Sequence, residues 1–361
     1  MRIIDKYVLQ QFFKLFFLSL AGMVMFYEMA VFLDMVGAFA KFHSTLDESI
    51  RFMLFKIPVA VFHVTPLCVL QAALLTTLSM SRYSEIVAIK AAGKSIFSVA
   101  APLIAGGAII AIFSFFNSEY VIHLTEKETN RIYYDEIKEQ PRKSLFSKDK
   151  FWYTADDGSI WNVEHIDTAN NRLSNMSIFR FDKEERRLTS RITASEGLLV
   201  GDKWILKDFV KRTFPSKGQF NEERLAEKAV PASSIPSEDL NKVKLYPEEM
   251  NLNQIREYIR SIRSKGYDAT KYTVDMHAKI GFPLISLVMP LIAIPMGLRS
   301  GRAGGMFAGV GLALLIGALF WFTFSMGVAF GHAGRLPPAL AAYGAHMIFG
   351  ALGLLFLMSD K

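Results

Sequence analysis

Six apolar runs, each long enough to cross a bilayer as a helix, constrain this chain more than any other feature. They lie at roughly Phe12–Phe39, Phe52–Met80, Ile96–Phe116, Ile280–Leu298, Ala303–Phe330 and Pro338–Met358. A helix rises about 1.5 Å per residue and the hydrocarbon core is about 30 Å thick, so runs of this length span it. A hydrophobic content of 51% with 30 phenylalanines belongs to a membrane protein, not a soluble domain.

A polar segment, residues 119–275, separates the third and fourth runs. It holds 27 basic and 27 acidic side chains, so the net charge of +7 belongs to the membrane part. The positive charge therefore reports loops facing an anionic surface and is no argument for nucleic acid. With the N-terminus placed in the cytoplasm, Arg2, Lys6, Arg82, Lys90, Lys94, Arg299, Arg302 and Lys361 fall inside. Lys41, Arg51, Lys56 and Arg335 fall outside. This inside excess satisfies the positive-inside rule and puts the polar segment outside, in the periplasm of a bacterium. The only cysteine, Cys68, lies within the second run, so no disulfide frames the outer segment.

The polar segment begins as a continuation of the third helix, Asn117 to Glu139. Its period then changes to two. Phe151-Trp152-Tyr153, Ile160–Val163, Ser177–Phe181, Leu188–Ala194, Leu198–Val200 and Trp204–Phe209 read as strands. Turn signals divide them at Asp156-Asp157-Gly158, Lys183–Arg187 and Gly201-Asp202-Lys203. Val230–Val243, with Pro231 and Pro236, reads as an irregular edge or linker. Short strands without intervening helices predict an antiparallel sheet, sandwich or half-open jelly roll. Leu252, Ile255, Ile259 and Ile262 then mark an amphipathic helix ending at Gly266, packed on its own domain or lying at the lipid surface. The predicted fold is an α-helical polytopic membrane protein of six transmembrane helices with an inserted periplasmic antiparallel β-jelly-roll-like domain. Residues 1–118 carry spans one to three, 119–275 the β-domain and its flanking helices, and 276–361 spans four to six.

Catalytic and metal chemistry have no candidates. Ala88-Ile89-Lys90-Ala91-Ala92-Gly93-Lys94-Ser95 ends like a phosphate-binding loop, but Ala88 stands where such a loop needs its first glycine, and no strand precedes it. There is no HExxH, no paired CxxC and no GxSxG, and the seven histidines lack metal-ligand spacing. No catalytic residue, metal site or cofactor is expected on this chain.

Between the second and third runs, Arg82, Tyr83, Glu85, Ile86, Ile89 and Lys90 occupy a short inside segment, near 81–93. As a helix lying along the membrane it presents Arg82 and Glu85 to the cytosol and Ile86 to an apolar slot, with Gly93 ending it. That is the shape with which a permease docks on a separate ATPase; a plain connecting loop fits the spacing equally well. Around it, Ile4-Asp5-Lys6-Tyr7-Val8, the run from Arg82 to Gly93, Asp156-Asp157-Gly158, Gly266-Tyr267-Asp268 with Tyr272, Lys279–Leu284 and Pro295–Arg299 follow in a characteristic order. In these the chain resembles the LptF/LptG permease family over essentially its whole length. Arg186-Arg187-Leu188 and Lys203-Trp204-Ile205-Leu206 bring it nearer the G-type branch.

The resemblance implies one of two six-helix subunits of a lipopolysaccharide exporter in the bacterial inner membrane. The implied partners are a second LptF-like or LptG-like permease, an LptB-like ATPase dimer, an LptC-like single-span protein and lipopolysaccharide. ATP and Mg are used by the ATPase, which docks on the helix bearing Glu85. A permease for another envelope lipid or lipoprotein, and a non-transporting envelope scaffold, are the alternatives.

A phosphorylated lipid needs an apolar cavity with a basic outer rim. Glu28 lies about 9 Å deeper than Asp34, well within the bilayer, where an ionisable group is a functional candidate. Lys41, Arg51 and Lys56 flank the outer level and suit lipid phosphates; ordinary interfacial charge is the other reading. Where G-type members carry a lysine pair past the first-span aspartate, this chain has Gly37 and Ala38. Pro283, Pro290 and Pro295 invite kinks in span four. In span five, Gly305, Gly309, Gly311, Gly317 and Gly327 favour close helix approach. Phe320, Trp321 and Phe324 border the implied lipid entry, or simply face lipid tails.

Overall fold

The structure is a computed structural model that describes residues 3–138, 151–154, 158–167, 172–182, 187–200, 203–215, 221–231, 250–264, 268–300 and 306–359. The chain forms two compact units, one of residues Met1–Tyr133 with Glu249–Lys361 and one of Tyr134–Glu248.

The first unit is helical. Helix α1 covers Ile3–Lys41, α2 Leu46–Arg82 and α3 Glu85–Ala91. Helix α4 runs through Phe97–Ile137, α5 is Leu252–Ser264, and α6, α7 and α8 are Thr270–Ser300, Met306–His332 and Pro338–Ser359. Six of these, all but α3 and α5, are long and apolar enough to span a membrane. The six apolar runs of the sequence are thus six helices, extended at their ends by polar residues.

Local chemistry sets several helix boundaries. Thr45 caps α2: its hydroxyl accepts the Glu48 N–H at 3.3 Å, and the Glu48 carboxylate accepts the Thr45 N–H at 2.9 Å. Thr45→Ala removes this reciprocal cap and is expected to cost about 1 kcal/mol. Thermal melting in detergent measures it. At the start of α6 the Asp268 carboxylate accepts both the hydroxyl and the N–H of Thr270, at 2.6 and 2.9 Å. These bonds, and then the Arg263 charge, hold the Asp268 carboxyl below the usual carboxylate range.

Span four is the centre of the bundle. The most apolar stretch of α6 is 72% buried inside the protein, against 6% for α1. Helix α6 packs on α2, α4, α7 and α8, while α1 packs chiefly on α2 and α4. Its three prolines lie inside one continuous helix. Each lacks an N–H, so the carbonyl four residues earlier loses its helical partner. Two of these carbonyls meet a glycine of a neighbouring helix. A Cβ on Gly107 of α4 would stand 2.5 Å from the Ser286 oxygen, and one on Gly353 of α8 would stand 2.9 Å from the Leu291 oxygen. Glycine is required at both places because only a bare Cα fits against the exposed backbone. On α7, Gly317 approaches Leu67 and Gly327 approaches the Ala341 carbonyl, as the small-residue reading requires; Gly311 meets open space. Gly305 lies outside the described residues.

Helix α4 continues past the membrane as expected, through two π-helical turns at Asn117–Ile122 and Ile132–Ile137. At the first of these the Asn117 amide donates to the Pro58 carbonyl at 3.0 Å, tying α4 to α2. Helix α5 buries Leu252, Ile255 and Ile259, so its apolar stripe packs on protein. Its predicted stop, Gly266, lies outside the described residues.

The second unit is the antiparallel sheet. Six strands, β1 Phe151–Thr154, β2 Ile160–Asp167, β3 Arg172–Phe181, β4 Leu188–Val200, β5 Lys203–Thr213 and β6 Asn221–Pro231, lie side by side in chain order. Trp161, Val163, Met176, Ile178, Trp204 and Phe209 are among the side chains of its core. The inward alternation slips at Asn175 and Asp208, both left-handed at φ 51°, so that Leu173 and Met176, and Leu206 and Phe209, face inward three residues apart. The segments Leu188–Ala194 and Leu198–Val200 form one strand, because Glu196 between them pairs with Lys207 at 3.4 Å and with Arg172. Strand β6 replaces the start of the expected irregular edge. The predicted turns through Asp156-Asp157, through Lys183–Arg186 and at Gly201-Asp202 lie outside the described residues.

Candidate functional site

Ser84 adopts the left-handed backbone, φ 58°, and breaks α2 from α3. Arg82 therefore closes α2, while Glu85 opens α3, where a carboxylate suits the positive end of the helix. Gly93, at φ 73°, stops α3: Lys94 N–H donates to the Ile89 carbonyl and Gly93 N–H to that of Lys90. This is a Schellman cap, so the Gly-Lys-Ser resemblance to a phosphate loop is the end of a helix.

The elbow has two faces. Ile86 is buried in the bundle core and Ile89 packs against it. Arg82, Tyr83, Val87 and Lys90 are exposed. Glu85 is half-buried, and its carboxylate accepts the Tyr7 hydroxyl of α1 at 3.0 Å. Of the residues nominated from sequence, Ile86 and Ile89 thus fasten α3 to the protein, and Arg82, Tyr83, Glu85 and Lys90 remain on the outer side. Tyr7 lies in the Ile4–Val8 stretch quoted above, but nothing local pairs it with Glu85, 78 residues away.

The nominated charges gather around the opposite end of the bundle, with different degrees of engagement. Lys56 Nζ pairs with Glu126 of α4 at 2.8 Å, both side chains mostly buried. Arg51 pairs with Asp47 one turn away. Lys41 lies over the Phe42 ring, 5.4 Å from its centre, and Asp34 is exposed. Both carboxylate oxygens of Glu28 are buried without a hydrogen-bond partner among the described residues. Glu28 forms one wall of an apolar groove of about 350 Å³ lined by Phe32, Ile50, Met53, Leu54 and Ile57. A second polar knot lies on α4, seven residues before Glu126. Glu119 of α4 accepts the Leu252 N–H at 2.9 Å and stands 3.8 Å from Lys279, which donates to the Met250 carbonyl.

The aromatic trio of span five divides. Phe320 and Phe324 are buried, edge-on to His346 at 5.5 and 5.9 Å. Trp321 is 45% exposed and stands edge-on to Phe282. Only Trp321 keeps the exposed position the sequence suggests for all three. Among the described residues no group of acidic, histidine or cysteine side chains is placed to hold a metal ion.

Residues 6–359 match the family described as Lipopolysaccharide export system permease LptF/LptG. The chain is 23% identical to the lipopolysaccharide export system permease protein LptG of Haemophilus influenzae over 98% of its own length and 96% of that protein's. It is 22% identical to the protein of the same name from Escherichia coli K12, over 97% and 94%. Six membrane-length helices, an inserted antiparallel sheet and a match that covers nearly every residue together show that this chain belongs to the LptF/LptG family of lipopolysaccharide export permeases.

Proposed function

We propose that this chain is a permease subunit of an ABC-type exporter that extracts lipopolysaccharide from the inner membrane and passes it to a periplasmic bridge. A separate cytoplasmic ATPase dimer of LptB type, using ATP and Mg, drives it. The observation that carries the reading is the elbow. Its inner face is held in the core by Ile86, its carboxylate is linked to α1 through Tyr7, and its outer face offers Arg82, Tyr83, Val87 and Lys90. A displacement applied to α3 therefore reaches span one directly. The excess of Lys and Arg in the short loops on that side supports placing it in the cytoplasm and the sheet unit in the periplasm.

Spans one and five bury little of their apolar surface in the protein, 6% and 22% over their most apolar stretches. Those faces are available to lipid, to a second LptF-like or LptG-like permease and to the helix of an LptC-like single-span protein. The apolar groove beside Glu28 suits acyl chains. The test is reconstitution of the chain with its copurifying partners in proteoliposomes. ATP-dependent release of lipopolysaccharide to an acceptor is the expected result. A purified complex that lacks an ATPase, or that moves another envelope lipid in preference, overturns the reading.

A further inference from the structure

A phosphorylated headgroup needs cations that are not already neutralised, and the structure engages two of the three suggested by the sequence, Arg51 with Asp47 and Lys56 with Glu126. Positive charge of another origin lies close by, on α5. The start of this helix is fixed by Glu119, seven residues before Glu126 on α4 and hence about 10 Å along the same axis. Lys279 holds the Met250 carbonyl just before it, and Tyr258 stands edge-on to Tyr272 at 4.8 Å. The start of the helix is thus pinned where span four leaves its apolar stretch, and its middle stands beside Tyr272, seven residues or about 10 Å farther along α6.

At 100° per residue, Arg256, Arg260 and Arg263 fall within a sector of about 60° beside the buried face of Leu252, Ile255 and Ile259. They form one row along the border of that face, about 10 Å from first to last. All three are exposed. Arg256 and Arg260 make no ion pair with a described residue, whereas Arg263 donates to the Thr273 hydroxyl at 3.1 Å and its charge already acts on Asp268, so the first two carry the free charge. Glu257 is the single acid on the helix. A guanidinium grips a phosphate through two parallel N–H bonds, and a helix already held in place loses little freedom when it does so. A row of this length suits a headgroup carrying more than one phosphate better than the single phosphate of a phospholipid.

We propose that the arginine border of α5 holds the phosphate groups of the exported glycolipid at the outer face of the membrane, an inference that rests on the lipopolysaccharide reading above. The test uses the assembled complex in nanodiscs. Binding is measured for lipopolysaccharide, for the same lipopolysaccharide after phosphatase treatment, and for phosphatidylglycerol. The wild-type complex is expected to prefer the phosphorylated form by about tenfold, the scale of one or two hydrogen bonds to a charged group. Arg256→Gln with Arg260→Gln is expected to reduce that preference to about twofold or less, with the complex still intact by size exclusion. Arg256→Lys with Arg260→Lys is expected to keep only part of it, since lysine lacks the planar fork. A double glutamine variant that retains the full preference overturns the inference while leaving the export reading intact. Equal weakening of lipopolysaccharide and phosphatidylglycerol also overturns it, by making α5 a general surface anchor. A wild-type complex that binds neither form of lipopolysaccharide defeats the export reading itself.

Discussion

In Glu85→Arg, ATP-driven release of lipopolysaccharide from proteoliposomes is expected to fall by at least about thirtyfold, the scale of disrupting an interfacial charge pair. The bundle itself is expected to remain folded, since the residue lies at the first position of a two-turn helix and is half-exposed. Two causes are separable. If Glu85 engages the ATPase, Tyr7→Phe, which removes only the hydroxyl donated at 3.0 Å, retains export within about threefold. If Glu85 acts by holding α3 to α1, Tyr7→Phe reproduces most of the loss. Wild-type export by Glu85→Arg would remove the elbow from the mechanism.

The second large effect concerns packing. Gly107→Ala places a methyl group 2.5 Å from the Ser286 oxygen and 2.9 Å from Pro290 Cγ. The obstacle is backbone and a proline ring, neither of which rotates away. The expected cost is about 3 kcal/mol, at the upper end for overpacking a close-packed core. Thermal unfolding in detergent reads it as a lowered midpoint, and Gly107→Leu is expected to prevent accumulation of the protein. Gly311→Ala, where nothing lies within 4 Å, serves as the matched control and is expected to leave the midpoint unchanged. Equal behaviour of Gly107→Ala and Gly311→Ala would show that the contact between α4 and α6 is not close-packed in the membrane.

The spans are legible in the sequence because long apolar runs have few alternatives in a chain of this composition. The end of the elbow is legible for a different reason: Gly93 supplies the left-handed residue that a helix cap uses. Strand β6 is not legible. Its Asn-Glu-Glu-Arg-Leu-Ala-Glu-Lys-Ala is built of helix formers, and it becomes a strand by pairing with β5, including Arg212 against Glu222 at 2.7 Å. The gap left between Ala194 and Leu198 closes only when the partners of Glu196 on both sides are known. Charge pairing across 70 residues, as in Lys56 with Glu126, leaves no local pattern. Nor does a cluster of aromatics reveal which member faces inward: Phe320 and Phe324 lie on one helical face and Trp321 lies about 100° away.

Helix α4 has one further consequence. Its 41 residues amount to about 60 Å of helix, twice the thickness of the hydrocarbon core. The π turns add residues without interrupting it. A tilt of about 5° at one tip displaces the other by about 5 Å. Moved as one body, this helix would carry an event on one side of the bilayer to the other while no polar group has to cross.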